Sequence, residues 1–380
     1  MNLEPITLNL HIVSFDIPYP PNYGGVIDVY YKIKALHDEG VKVCLHCFEY
    51  HRKPAPELAE ICAEVHYYPR RTGFASSLSL RPYIVESRRS DELIDRLLED
   101  TYPILFEGLH SCFLLDDTRL KSRLKIYRES NIEHRYYYHL CKAEKNLWKK
   151  AYFLAESIRL KLFQRILSHA DKMLVVSLDD QRYLKSHFPG KEVFWLPSFH
   201  RDNEVRSLPG KGTYVLYQAN LSVPENRKAA EYILHTIYDD SLPELVLAGL
   251  DPPSSLIRLA GQRPNVRVVL NPDDEEMSRL IQHAQINLML TFQATGLKLK
   301  LLNALFQGRF CLVNREMVAG TGLNSLCELA STPDQFRESI RKFMEIDFTQ
   351  DQISQREALL LDRYSNKKNC KILRDILTLS

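Results

Sequence analysis

Thr295-Gly-Leu-Lys-Leu-Lys-Leu-Leu-Asn-Ala-Leu-Phe-Gln-Gly308 is the stretch from which the organisation of this chain is read. Thr295 is placed to cap a helix, Leu297, Leu301 and Leu305 recur every fourth residue, and Gly308 stands where a C′ glycine stops a helix. The apolar run Phe310-Cys-Leu-Val313 follows at once and reads as a buried strand. Charge in this segment runs against the helix. A helix N-terminus carries partial positive charge, so Lys298 and Lys300 sit where a cation is disfavoured by roughly 0.3–1 kcal/mol each. A bound anion reverses the sign, because Gly296, the free N–H groups and both lysines then converge on it. The segment therefore predicts a site for a phosphate-bearing ligand.

Outward from it, two βα series are legible. The first opens with the strand-like run Leu8–Phe15, a loop Asp16–Gly25, and a helix with Val26, Val29, Tyr30, Ile33 and Leu36 on one face, closed by Gly40. Strand-like runs follow at Val41–Phe48, Glu64–Tyr68, Ile104–Phe106, Leu124–Tyr127, Met173–Val176 and Val193–Leu196. Residues 198–212 are polar and hold Pro and Gly, the best linker candidate. The second series runs through Tyr214–Tyr217, Glu244–Ala248, Val266–Leu270, Ile286–Leu290 and Phe310–Val313. Strands alternating with helices imply parallel sheets covered on both faces. The expected fold is α/β, with two Rossmann-like lobes (residues 1–197 and 213–358) facing a cleft. A final helix within 359–380 either completes the second lobe or crosses back to the first.

At 380 residues the chain exceeds the size at which single cores stop growing, which fits two domains. Its 26% charged and 45% hydrophobic residues are ordinary, and a net charge of +2 argues against a dedicated nucleic-acid binder. Leu8–Phe15 is far shorter than the roughly 20 apolar residues of a membrane span, and no signal segment is recognised, so a cytoplasmic location is expected. Eight scattered cysteines then read as reduced thiols. Cys44-Leu-His-Cys47 has C-x-x-C spacing, but strand alternation sends its cysteines to opposite faces and no second pair completes a zinc site.

Four segments carry a family likeness: Pro18-Tyr-Pro-Pro-Asn-Tyr-Gly-Gly25, His169-Ala-Asp-Lys-Met-Leu-Val-Val-Ser177, Tyr217-Gln-Ala-Asn-Leu-Ser-Val-Pro-Glu-Asn226 and Gly296–Gly308. In order and spacing they resemble the GT-B glycosyltransferases, specifically the retaining, nucleotide-sugar-dependent class (family 4-like, glycosyl transferases group 1). The first looks like that family's glycine loop against the donor phosphate, and the last like its G-x-K-x-K-x-x-E-A-x-x-x-G helix. The resemblance implies donor contacts from Gly24, Gly25, Asn220, Thr295, Gly296, Lys300 and Asn303. It also implies that the donor is a nucleoside-diphosphate sugar, with no separate cofactor and no metal. Where relatives carry two glutamates eight residues apart, this chain has Thr295 and Asn303. Asn303 still offers hydrogen bonds without charge.

Several of these residues also admit simpler roles. Gly24-Gly25 is either helix-entry punctuation or bare backbone approaching a diphosphate. Lys298 is favoured over Lys300 for stabilising the departing diphosphate. Glu107 and His110 end a buried strand, where acid–base or sugar-hydroxyl contacts and a plain loop role stand level. Ser130-Asn-Ile-Glu133 fits a capping box, which explains both residues without chemistry and leaves His134 as an acceptor-side contact by resemblance. Arg135–Lys150 interleaves aromatic and basic residues. It reads as a solvated helix face in preference to a peripheral contact with anionic lipid at the inner face of the membrane. Asp179-Asp180 and Asp273-Asp274 read as helix starts, not metal ligands.

The expected function is transfer of a sugar from a nucleoside-diphosphate sugar to a saccharide or lipid-linked saccharide, in cell-surface polysaccharide synthesis. The rivals are a nucleotide-sugar epimerase or phosphorylase on the same fold, and an inactive nucleotide-sugar-binding relative.

Overall fold

The computed structural model describes residues 8–73, 79–292 and 298–378. Along β1 (Asn9–Ser14) Leu10 and Ile12 turn to one face of the sheet and Val13 to the other, and all three are buried. Such two-sided burial suits a parallel sheet. β1 pairs in parallel with β2 (Lys42–Glu49) on one side and β4 (Ile104–Glu107) on the other. With β3 (Glu64–Pro69), β5 (Lys125–Glu129), β6 (Lys172–Val175) and β7 (Glu192–Trp195), the order is β3-β2-β1-β4-β5-β6-β7. On one face Val29, Ile33 and Leu36 of α1 (Gly24–Asp38) pack over Leu10 and Ile12. The opposite face carries α2 (Glu133–Ala143) and α3 (Leu147–Phe163), an antiparallel hairpin.

The second sheet has the order β10-β9-β8-β11-β12-β13. Its strands are β8 (Val215–Asn220), β9 (Leu245–Leu250), β10 (Val266–Leu270), β11 (Ile286–Met289), β12 (Phe310–Val313) and the two-residue β13 (Glu328–Leu329). β13 is too short to leave a sequence pattern. Helices α4 (Pro224–Tyr232) and α5 (Leu299–Gln307) follow β8 and precede β12. Val215, Tyr217, Leu245, Leu247, Ile286, Leu288 and Leu312 form one continuous core with Ala229, Ile233 and Phe336.

Residues up to His200 and from Tyr364 onward form one compact unit, and the second lies between Arg201 and Arg363. The last helix, α6 (Asn366–Thr378), therefore crosses back and belongs with the first sheet. Cys370, Leu373 and Ile376 join the α1 side of that core, and Lys172 Nζ donates to the Ile376 carbonyl at 2.8 Å. Each buried Leu or Ile here contributes about 1.5–3 kcal/mol.

The opening segment departs from the expected helix in two details. The helix begins at Leu299, with Lys298 at its cap position, and Thr295 and Gly296 lie outside the described residues. Gly308 does not adopt a left-handed stop; its φ is −92°. It is glycine because a Cβ there would meet Asn287 Nδ2 at 2.2 Å and the Ala304 carbonyl at 3.0 Å.

Both sheets reverse their strand order beside their first strand, between β1 and β4 and between β8 and β11. Ligands of open α/β sheets bind at the carboxyl ends of strands at such points.

Candidate active site

At the β1/β4 reversal of the first unit, Phe15 and Asp16 leave β1 and meet the start of α1. A Cβ on Gly25 would stand 2.5 Å from Phe15 Cζ, so glycine there admits the ring. The loop before α1 is pinned. Tyr23 donates to Asp16 Oδ2 at 2.6 Å, and Arg52 donates to the Ile17 and Pro20 carbonyls at 3.0 and 2.8 Å. Gly24 opens α1, and Tyr23 precedes it without a side-chain cap.

Past β4, Gly108 takes φ +71°, and His110 Nδ1 would lie 3.1 Å from a Cβ placed on it. The His110 ring packs 5.4 Å from Phe15 and is one-fifth exposed. Its Nδ1 is buried without a hydrogen-bond partner among the described residues, 4.0 Å from Glu133 Oε1. Burial, then Arg88 and Arg70, hold His110 well below its ordinary value, so the imidazole is neutral. Burial pushes Glu133 up to about 8, against the pull of Arg88. Arg88 is itself buried. It donates to the carbonyls of Phe15 (2.7 Å) and Ile84, and burial with Arg70 nearby lowers it to about 9. The result is a neutral imidazole beside a carboxyl that titrates near neutrality, with a cation behind them. Such a set can exchange hydrogen bonds with hydroxyls and move a proton near pH 8.

Glu133 is thus a candidate site residue that sequence reasoning set aside as a cap. α2 starts at Glu133 itself, with Ile132 at the cap position and no side-chain cap. Ser130 and Glu133 do not form a capping box. His134 turns elsewhere, its ring 5.9 Å from Tyr183.

Glu107 points into the protein and is only 2% exposed. Lys32 Nζ donates to Glu107 Oε1 at 2.6 Å and to Asp28 Oδ2 at 3.1 Å, while Arg128 holds Asp28 at 3.2 Å. Burial raises Glu107 above the usual carboxylate range despite Lys32. For Asp28, burial opposes ionisation, but Arg128 and Lys32 outweigh it and hold the group low. Two cations and two carboxylates close a neutral buried network, and the geometry gives Glu107 a structural partner before any substrate.

The second unit presents its own set at the β8/β11 reversal. Lys300 lies one residue inside α5, partly buried, and donates to the Leu290 carbonyl at 3.2 Å. Its amine stands 6.0 Å from the Tyr217 ring centroid. Burial lowers it to about 8, with Glu225 raising and Lys298 further lowering it. Glu225, at the start of α4, accepts from Thr291 Oγ1 at 2.5 Å. Asn314, after β12, donates to the Thr291 carbonyl and to Glu316 Oε2 at 2.6 and 2.7 Å. Asn220 shapes the β8–α4 loop: its Oδ1 accepts from Ser222 N and Oγ at 3.0 and 2.6 Å, and its carbonyl accepts from Asn226 at 2.9 Å. Lys298 is half-buried ahead of the helix, and Asn303 is half-buried one turn beyond Lys300 on the same face. Glu225, Thr291 and Glu316 were missed, because only the fold brings these three loops together. Glu225 had one local signal, Pro-Glu at a helix start directly after a strand.

Among the described residues no group of three or more His, Cys, Asp or Glu is arranged to hold a metal ion. Cys44 and Cys47 are buried, free thiols, with Cys47 in the α1-side core. Asp273 caps a helix by accepting from Glu276 N at 2.7 Å. No helix of the described residues is long and apolar enough to cross a membrane.

No protein-family model matches the chain. It is 26% identical over 356 residues, 85% of this chain and 87% of the relative, to an uncharacterized 44.6 kDa protein in the cps region of Klebsiella pneumoniae. In structure it is similar to Anabaena HepE, solved in complex with UDP and glucose, with a TM-score of 0.66 at 11% identity over 98% of this chain and 100% of that one. It is also similar to an S. aureus TarM variant solved with fondaparinux, α-GlcNAc-glycerol and UDP, with a TM-score of 0.65 at 9% identity over 98% and 99% of the two chains. At these identities the likeness establishes the fold, which is that of the GT-B glycosyltransferases.

Proposed function

We propose that the protein is a glycosyltransferase that moves a sugar from a nucleoside-diphosphate sugar to a saccharide or lipid-linked saccharide acceptor in the cytoplasm. The observation that carries this reading is the Lys300 amine, half-buried at the β8/β11 reversal of a GT-B fold, with its proton affinity lowered to about 8. An amine desolvated in that way has much to gain from a diphosphate. Charge on the leaving oxygens is greatest in the transition state, where a fixed cation contributes most. The N–H groups at the start of α5 reinforce it. Glu225 and Glu316 offer carboxylates for donor hydroxyls in place of the glutamates that Thr295 and Asn303 replace. In the first unit, neutral His110 and Glu133 are suited to sugar hydroxyls, and Gly25 admits the Phe15 ring that packs beside His110. Likeness to a protein of a cps region supports a place in polysaccharide synthesis.

Protein cations serve the leaving group in this reading, so transfer is metal-independent; retention of anomeric configuration follows only from the resemblance to the retaining class. A thermal-shift screen of nucleoside-diphosphate sugars tests the donor, since a ligand at 100 times its Kd stabilises by about 2.7 kcal/mol. Product analysis with the best donor after exhaustive chelation is expected to show a transferred sugar. Epimerised donor, or binding with no turnover against any saccharide acceptor, would refute transfer; activity that returns only with Mg²⁺ or Mn²⁺ would refute the lysine-based leaving group.

A further inference from the structure

Helix α3 wears its apolar stripe on the outside. Leu147, Leu154, Ile158 and Leu162 are 79%, 43%, 54% and 57% exposed. At about 100° per residue they fall within an arc of roughly 80° and extend along a helix about 25 Å long. The inner face is anchored by polar groups. Buried Glu156 accepts from Tyr83 N at 2.8 Å and from Arg159 at 2.7 Å, and Ser157 donates to the His134 carbonyl at 2.7 Å. A surface helix ordinarily buries such a stripe, so this one is set for contact with something apolar.

Charge identifies the partner. Residues 133–165 hold eight Lys or Arg against three Glu, in a chain whose net charge is +2. Two of those carboxylates, Glu133 and Glu156, are buried. Lys150 and Lys161 flank the stripe, Lys145 and Lys149 crown the α2–α3 turn, and Trp148 stands there 86% exposed. A second copy of the same face would bring lysines against lysines, and a nucleic acid offers nothing to the leucines. An anionic bilayer satisfies both halves of the surface.

We propose that α3 lies on an anionic membrane surface, with Leu147, Leu154, Ile158 and Leu162 among the outer acyl carbons and Trp148 at headgroup level. The flanking lysines rest on lipid phosphates. Only the first unit is needed for this, and binding is read without turnover, so it stands or falls separately from sugar transfer.

The test is flotation of the full-length protein with phosphatidylcholine vesicles, with and without phosphatidylglycerol. Binding is expected to require phosphatidylglycerol, to weaken with salt, and to quench Trp148 emission when the acyl chains are brominated. Lys150→Gln with Lys161→Gln should weaken partitioning about 30-fold, roughly fivefold per charge. Leu154→Gln with Ile158→Gln should cost more than about tenfold while leaving the melting temperature unchanged, since both side chains are already exposed. Three results would each overturn the proposal. These are no partitioning onto phosphatidylglycerol vesicles, partitioning untouched by the Leu154→Gln/Ile158→Gln pair, and a solution dimer that this pair dissolves in a protein that ignores vesicles.

Discussion

Lys300→Met is expected to make the protein more stable and nearly inactive, a pairing that a solvated lysine cannot produce. The Lys300 amine is lowered from 10.5 to about 8 by burial in the folded protein. At about 1.36 kcal/mol per pH unit, that difference withholds roughly 3 kcal/mol of stability at neutral pH. The substitution also forfeits the bond to the Leu290 carbonyl, about 1 kcal/mol, leaving a net gain of about 2 kcal/mol. In a unit of this size the melting temperature should rise by roughly 4–8 °C. The sign follows from proton counting. Between pH 8 and 10.5 the unfolded chain holds a proton that the folded protein has released. Stability of the native protein therefore rises with pH across that window, and the rise should vanish in Lys300→Met. Turnover with a verified donor should fall on the order of 10²–10³ in kcat, as when one charge-stabilising donor is removed. In the native protein kcat/KM with a verified donor should decline above about pH 8 as the amine loses its proton, whereas Lys300→Arg should lose that alkaline limb. Lys298→Ala should have the smaller effect on kcat, because Lys298 precedes the helix. Calorimetry and initial rates on the same preparations decide the matter. A lower melting temperature together with undiminished turnover in Lys300→Met would refute the reasoning.

Two further substitutions test the first unit. Folded Glu133 holds its proton up to about pH 8, whereas the unfolded chain releases it near 4.5, so stability should fall as pH rises through that interval. Glu133→Gln should flatten this fall in urea titrations while lowering kcat; an unchanged pH dependence would show that Glu133 is not held as described. Glu107→Gln leaves excess positive charge in a buried cluster and should destabilise by about 3–5 kcal/mol, with turnover per folded molecule preserved. Loss of kcat at full stability would instead place Glu107 in the chemistry.

The fold was legible because parallel strands buried on both faces spell continuous apolar runs. Val41–Phe48 and Phe310–Val313 need no tertiary context to be recognised as such. Even the return of the last helix was within reach, from helical periodicity with no strand after it. The site was harder. Lys298 and Lys300 differ by two positions, and which one turns inward depends on where the helix starts; here it starts at Leu299. Glu133 satisfied a local capping pattern, but the chain entered α2 two residues later than that pattern requires, and its carboxyl went to His110. At Glu107 a chemical and a plain loop role stood level, because its partner Lys32 lies 75 residues away. Local rules read elements well. They fail where the outcome depends on a contact between distant loops.

The return of α6 has a consequence for how the chain is made. The first sheet is fully synthesised once β7 has emerged, but the helix that completes its α1-side core, with Cys370, Leu373 and Ile376, leaves the ribosome only after the whole second unit. By then every strand of the second sheet has already been made. Domains generally fold as units in the order in which they emerge. Here that order is inverted: the inner unit can close its core while the outer one still waits with an apolar groove beside α1. During that interval the groove is the nascent chain's exposed liability. A premature stop before residue 366 leaves it open permanently, which marks such a product for chaperones and proteases, although all thirteen strands of the described residues are present.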